Sequence, residues 1–126
     1  MSNKRTGPVP AKTVEKLVER SGGMCEGGCG RPAEEIHHRR YLSRSGKHNL
    51  ANLLALCGDG NHDNGKCHGI AHRGSKAPPG WAISRHERRH ESEVPYVDLG
   101  GRTQWLDDEG GRHDRPQDRG RSEGNG

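Results

Sequence analysis

Four cysteines, arranged in two groups, constrain the fold of this chain more than any other feature. Cys25 and Cys29 lie in the stretch CEGGCG, and Cys57 and Cys67 flank the loop GDGNHDNGK. Glycines let the backbone turn tightly around a bound ion, and two pairs of thiols about thirty residues apart are typical of a tetrahedral zinc site. The pattern predicts a structural Zn²⁺ held by all four thiols. Two alternatives stay open: His62 in the second loop replaces one cysteine, or the thiols are reduced and bind no metal.

A bound metal would compensate for a shortage of apolar residues. Only 26% of the 126 residues are hydrophobic, phenylalanine is absent and 20 residues are glycine. Such a chain cannot bury a large core, whereas a structural zinc can contribute roughly 10–16 kcal/mol of folding free energy. We therefore predict a small, metal-stabilised domain.

The start of the chain and its charge indicate a compartment and a kind of partner. The first residues are polar and the longest apolar run is LLALC, so neither a signal peptide nor a membrane span is predicted. A cytoplasmic location follows, where cysteines stay reduced and serve as ligands, and no membrane partner is expected. The net charge of +4 suits a polyanionic partner such as nucleic acid.

The pattern of elements predicts a small α+β fold. Val14, Leu17 and Val18 have helical spacing and predict a short amphipathic N-terminal helix that ends at Gly22. The stretch EEIHHRR predicts a strand, whereas NLLALC suits either a buried strand or a helical turn. A short helix is expected to start near Gly65. The stretch VPYVDLGGRTQWLDD predicts a C-terminal β-hairpin with a two-residue turn at its glycines.

The folded domain is predicted to span residues 11–107, between disordered tails at 1–10 and 108–126. The second tail has five acidic residues, four arginines and no hydrophobic periodicity, a composition typical of disorder. The excess positive charge therefore lies in the predicted domain.

Four of the histidines are placed so that they can form a second metal site. His68 and His72 are one helical turn apart, where Cβ atoms are about 5–6 Å from each other and two imidazoles can reach one ion. Adjacent residues of a strand point in opposite directions, so only one of His37 and His38 can be a third ligand. The other would remain available as a base. Four further histidines are expected on the surface: His48, His86, His90 and His113.

The order of these residues resembles the HNH endonuclease family, which has a ββα-metal fold. A His-His pair, an asparagine before an apolar run, and Cys-His-x-x-x-His follow one another between Cys25 and Gly74. The cysteines resemble those of the members in which a zinc knuckle supports the core, and CHGIAHRG resembles the metal-binding helix of colicin-type nucleases. The resemblance implies a ββα-metal core over residues 24–76. Beyond Gly74 the chain is similar to small phage and actinobacterial HNH proteins with a short β extension.

The resemblance also implies a role for each site residue. His37, His68 and His72 would bind one catalytic ion, His38 would act as general base, and Asn52 would hold the active-site loop in place. In many family members the asparagine is itself a ligand, so Asn52 in place of His68 is an open alternative. A site of three imidazoles tolerates Mg²⁺, Mn²⁺, Ni²⁺, Co²⁺ or Zn²⁺.

The activity implied by the resemblance is hydrolysis of DNA phosphodiester bonds by a phage-type enzyme. DNA is then the expected partner, together with phage packaging or other DNA-processing proteins. The alternative is a zinc-binding nucleic-acid adaptor that has the same fold but no catalytic activity. Five basic residues are predicted to contact phosphates: Arg39, Arg40, Arg44, Lys47 and Arg73.

Overall fold

The computed structural model of this protein describes residues 9–41, 46–59 and 65–116. Within these residues the chain forms two short α-helices, three 3₁₀ turns and two small antiparallel sheets. The predicted α+β class is therefore confirmed. No helix among the described residues is long and apolar enough to cross a membrane.

Helix α1 spans Ala11–Ser21, as its apolar spacing predicted. Pro10 precedes it with φ −54°, a value already suited to helix entry, and Gly22 ends it with φ 66° in the left-handed region. Leu17 is fully buried and Val14 packs beside it, whereas Val18 is 40% exposed. The apolar face of α1 thus covers one side of the first sheet.

The first sheet pairs strand β1, Glu35–His38, with strand β2, Leu53–Leu56, in antiparallel register. A 3₁₀ turn over Leu50–Asn52 leads into β2, so the stretch NLLALC contains both of the structures that its periodicity left open. Successive β2 side chains alternate between two hydrophobic clusters, one containing Leu17 and the other containing Trp81. Because both faces are covered, β2 is buried along its whole length.

Helix α2 spans only Cys67–Ala71, and His72 is the residue that caps its C-terminus. The predicted helix is present but short. It lies beside β1, and the backbone N–H of His68 donates a hydrogen bond to the Cys57 carbonyl at 2.8 Å. This bond ties the start of α2 to the end of β2.

The second sheet contains strands β3, Tyr96–Val97, β4, Thr103–Leu106, and β5, Arg112–His113, in that order. The predicted hairpin between β3 and β4 is confirmed, but the two-residue turn is wrong. The Asp98 N–H bonds to the Arg102 carbonyl at 3.0 Å, which leaves a three-residue loop that closes with Gly101 at φ 86°. A left-handed glycine at the end of a three-residue loop is a common hairpin geometry.

The predicted domain end at 107 is wrong, because ordered structure continues to residue 116. Strand β5 pairs with β4, and Arg112 forms an ion pair with the buried Glu26 at 3.2 Å. One Asp108 carboxylate oxygen accepts hydrogen bonds from Asn49 and from the Ala51 N–H, each at 3.0 Å. Polar contacts rather than apolar periodicity hold this segment, so its composition resembles that of a tail.

The two predicted tails fall largely outside the described residues. This holds for residues 1–8 of the first tail and for 117–126 of the second. Val9 packs against the cluster that contains Leu17, so the ordered structure begins before residue 11.

Candidate metal centres and active site

The four cysteines come together from three places in the chain. Cys25 and Cys29 lie in a tight loop that a bridge between Met24 and Pro32 closes, Cys57 directly follows β2, and Cys67 opens α2. All four Sγ atoms lie within 4.8 Å of one another. The cluster could hold a metal ion, as the cysteine spacing predicted.

The electrostatics of the thiol cluster favour a bound cation. Backbone N–H groups of Cys57 and Cys67 point at the sulfurs of Cys25 and Cys57, at 3.3 and 3.4 Å. A hydrogen bond from the Cys67 thiol is the main cause that lowers the pKa of Cys25 to about 5, and the same bond raises the pKa of Cys67. Without a cation, therefore, one thiolate forms at the expense of its neighbours. A divalent ion would let all four thiols ionise together.

Gly27, between the first two cysteines, shows how closely the loop packs. A Cβ atom at this position would lie 2.7 Å from the Trp81 ring and 2.8 Å from the Cys67 sulfur. Only glycine fits between the indole and the thiol. The CEGGCG loop therefore rests directly on the larger hydrophobic cluster.

Three imidazoles form a second candidate metal centre between β1 and α2. His37, His68 and His72 each have a ring nitrogen within 4.8 Å of the others, and their ring centroids are 5.0 to 5.3 Å apart. His37 and His68 are buried, whereas His72 is exposed. The cluster therefore has a closed side inside the protein and an open side that faces solvent.

Hydrogen bonds outside the cluster orient two of these imidazoles. His37 Nε2 lies 2.6 Å from the Trp81 carbonyl, and His68 Nδ1 lies 2.8 Å from a carboxylate oxygen of Glu35. Both partners only accept, so these nitrogens carry the protons and His37 Nδ1 and His68 Nε2 have the lone pairs. Burial is the largest of the effects that hold the pKa of His37 well below its usual 6.5. The neutral form that a metal needs is therefore the stable one.

His38 points away from this cluster, as the alternation of a strand predicts. Its Nε2 lies 2.9 Å from Nδ1 of His48, and its Nδ1 is buried with no hydrogen-bond partner among the described residues. Burial and the neighbouring His48 lower the pKa of His38 to about 4. His38 is therefore neutral at pH 7. The expectation of a plain surface residue holds for His86 but is wrong for three histidines, which are half-buried and bonded to other side chains: His48, His90 and His113.

Asn52 connects the two ends of the loop that follows β1. Its Oδ1 accepts from the Arg40 N–H at 2.7 Å, while its Nδ2 donates to the carbonyls of Arg40 and Lys47 at 3.1 and 2.9 Å. The carboxamide is fully buried. Three bonds to backbone atoms suit a residue that positions the loop better than one that binds the ion.

Two of the predicted phosphate contacts are wrong, because Arg39 and Arg40 are buried. Arg39 is 0% exposed and its guanidinium donates to four backbone carbonyls, those of Gly80, Ala51, Glu91 and Val94. Arg40 is 8% exposed and forms an ion pair with Glu91 at 2.7 Å. Arg39 is therefore enclosed by the protein, and the guanidinium of Arg40 is already held by Glu91 and by backbone carbonyls.

The other predicted phosphate contacts differ in their placement. Lys47 and Arg73 are exposed, whereas Arg44 lies outside the described residues. His62, the alternative ligand of the thiol site, also lies outside them.

Two residues that contact the site histidines were not predicted from the sequence. Glu35 had a signal, because residues two apart on a strand share a face and Glu35 is two before His37. His48 had none, since its contact with His38 forms only on folding.

No protein-family model, no curated protein and no solved structure matches this chain.

Proposed function

We propose that this protein is a metal-dependent HNH endonuclease that hydrolyses phosphodiester bonds in DNA. One observation carries the proposal. Three imidazoles converge between β1 and α2, while the adjacent His38 faces elsewhere with a ring nitrogen that has no partner among the described residues. A ligand cluster beside a separate base is the arrangement that metal-assisted phosphodiester hydrolysis requires.

The two clusters would hold different ions with different tasks. The four thiols suit a structural Zn²⁺, because thiolate ligands in a closed tetrahedral site are typical of zinc. The three imidazoles suit a catalytic divalent cation, since His72 leaves the site open to solvent. When bound, that cation supplies a positive charge that stabilises the charge developing on the phosphate and on the departing oxygen.

His38 would act as the general base. Its unprotonated Nδ1 takes a proton from a water molecule, the water oxygen forms a bond to phosphorus, and the bond to the 3′ oxygen breaks. The departing 3′ oxygen keeps the electron pair of that bond and takes up a proton from solvent water. The products are a 5′-phosphate and a 3′-hydroxyl. A positioned base of this kind accounts for roughly 10²–10⁴ in rate. Asn52 holds the loop that carries His48, and His48 in turn fixes the orientation of the His38 ring.

A catalytically inactive zinc-binding nucleic-acid adaptor is the second candidate. One observation favours it: Nδ1 of His38 is shielded from solvent, so a water molecule reaches it only after a local rearrangement. The thiol cluster and the basic surface would serve an adaptor equally well.

Nicking of supercoiled plasmid by the purified protein, with each of the five divalent ions in turn, tests the proposal. We expect nicking with at least one ion. His38→Ala should lower the rate by about 10²–10⁴ and leave calorimetric binding of the ion unchanged. His72→Ala should weaken ion binding, with activity partly recovered at high metal concentration. His113→Ala, on the second sheet, is the control and should match the parent.

Three outcomes would change the assignment. If no ion supports nicking, the adaptor reading replaces the nuclease reading. If His38→Ala loses the ion and His37→Ala keeps it, the two neighbours have exchanged roles. If the parent nicks DNA and none of the histidine variants alters the rate, the active site lies elsewhere.

A further inference from the structure

A basic furrow runs across the surface beside the candidate active site. It consists of two cavities, of about 810 and 520 Å³, that share Arg85 and His86. The larger cavity is lined by the segment 85–91 together with Arg40, Lys47 and Asn49. Gly74 and Ser75 border the smaller cavity.

The furrow is lined by chain neighbours of both halves of the candidate site. At one end, Lys47 and Asn49 flank His48, whose ring touches the proposed base His38. At the other end, Gly74 follows the exposed His72 by two positions. A linear molecule lying in the furrow would therefore contact the segments that carry His48 and the exposed His72.

The charge of the furrow is positive because its acidic residues are already paired. Glu87 pairs with Arg89 at 3.0 Å, and Glu91 pairs with Arg40. Three further cations are exposed and form no ion pair within the described residues: Lys47, Arg85 and Arg88. Their charges are therefore left for an external anion.

The buried Arg40 fixes the wall that carries these charges. Its guanidinium donates to the carbonyls of Ser84, Glu87 and Arg89 at 3.0 to 3.1 Å. Segment 84–90 has no regular secondary structure, so these bonds take the place of a helix or strand. Cationic side chains on a fixed backbone bind with a smaller loss of entropy than those on a loose loop.

We propose that the basic furrow binds the phosphate backbone of double-stranded DNA. DNA as the polyanion rests on the proposed function, and the chemistry of the furrow selects the duplex. Among the described residues, its lining includes no apolar side chain larger than that of Ala82 and none of Phe, Tyr or Trp. Protein interfaces rely on apolar and aromatic anchors, and single-stranded nucleic acids on aromatic stacking. A duplex exposes its phosphates and needs neither.

The test is the salt dependence of binding to a short DNA duplex, without added divalent ion so that the duplex stays intact. Each phosphate contact contributes about −0.9 to the slope of log affinity against log salt. The double variant R85Q/R88Q should have a slope shallower by about 2, and K47Q a slope shallower by about 1. The double variant K12Q/K16Q removes the same charge from exposed positions on α1 and should keep the parent slope.

The inference is overturned if R85Q/R88Q and K12Q/K16Q have equal slopes. It is also overturned if R85Q/R88Q weakens binding of single-stranded RNA or polyglutamate, measured in parallel, while the duplex slope stays unchanged. Nicking rates separate this inference from the proposed function. If the parent nicks plasmid but the slopes of the furrow variants equal that of the parent, only the furrow inference is refuted. If the slopes change as expected but the parent does not nick plasmid, the furrow inference is supported and the nuclease proposal is refuted.

Discussion

Four consecutive polar residues, His37 to Arg40, are buried at the end of β1, and each has a different set of neighbours. His37 belongs to the imidazole cluster and His38 contacts His48. Arg39 and Arg40 reach the segment between residues 80 and 94. Burial of so many polar groups is tolerated because nearly every donor finds an acceptor. The proposed catalytic residues are therefore held in the same polar network that supports the surrounding chain.

Arg39→Met should destabilise the protein strongly. Methionine fills a similar length but donates no hydrogen bond, so four buried or part-buried carbonyls lose the partner that Arg39 supplies. We expect a loss of at least about 3 kcal/mol in the free energy of unfolding, measured by urea denaturation. Arg31→Met, at an exposed position, should have little effect. Equal stability of the two variants would show that the guanidinium of Arg39 is dispensable.

At the scale of elements, the thiol cluster joins three parts of the chain that are far apart in sequence. Cys25 and Cys29 lie in the CEGGCG loop, Cys57 ends β2, and Cys67 begins α2. A metal at this position ties the loop to the sheet and to the helix that presents His68. The candidate active site then depends on an ion that takes no part in its chemistry.

The purified protein should contain close to one tightly held zinc per chain. Since the thiols supply the ligands, His72→Ala should keep that zinc and Cys57→Ser should lose it. Removal of the zinc by a chelator should unfold the chain, because metal binding supplies much of the folding free energy of small zinc domains. Elemental analysis and circular dichroism check these outcomes. Folded protein without any zinc would refute the structural role.

Strand β5 lies in a segment whose amino-acid composition indicated disorder. It adds a third strand to the second sheet, and Arg112 supplies the second cation beside Glu26, whose carboxylate also pairs with Arg20. The segment after residue 107 therefore contributes to stability through the pairing of β4 with β5 and through a cation beside the buried carboxylate of Glu26.

Deletion of residues 109–126 should lower the free energy of unfolding by at least about 1 kcal/mol. The truncation removes the β4–β5 hydrogen bonds and one of the two cations at Glu26. Deletion of 117–126 alone is the control and should leave stability close to the parent, because this stretch has no apolar residue to bury. The two truncations are compared by thermal unfolding. Identical melting temperatures would show that β5 contributes nothing.

For the whole molecule, stability depends on keeping buried imidazoles neutral. The pKa of His37 lies well below its usual 6.5 and that of His38 is about 4, in both cases mainly because of burial. The unfolded chain binds protons at these positions below pH 6.5, whereas the folded chain does not. Stability is therefore full above about pH 6.5 and declines as pH falls towards about 4.

The parent should accordingly lose stability between about pH 7.5 and about pH 5, and His38→Gln should lose less. Glutamine keeps a polar side chain of similar reach but does not titrate. The carboxyl groups of Glu91 and Asp107 have lowered pKa values and ordinary values of 4.5 and 3.8, so they stay ionised in this range. Urea denaturation at several pH values measures the difference. Parallel curves for parent and variant would exclude His38 as a source of the pH dependence.

Much of the candidate site was predictable because it depends on local spacing. Strand alternation separated His37 from His38, and helical spacing brought His68 close to His72. The spacing of the cysteines indicated their cluster. These predictions hold because the direction of a side chain follows from the few residues around it. The limits of the short helix and of the hairpin turn were less accurate, since tertiary contacts shift the ends of elements.

The amino-acid sequence by itself determined α1, β1, the β3–β4 hairpin, the thiol cluster and the two directions of the histidine pair. Only the tertiary structure decided which charged residues are inside. Arg39 and Arg40 are of a residue type that often binds phosphate, yet they donate hydrogen bonds to a segment more than forty residues away. Arg85 and Arg88 look no different in the sequence and remain exposed. The physical reason is that burial depends on which distant segments supply acceptors, and local spacing does not encode those long-range contacts.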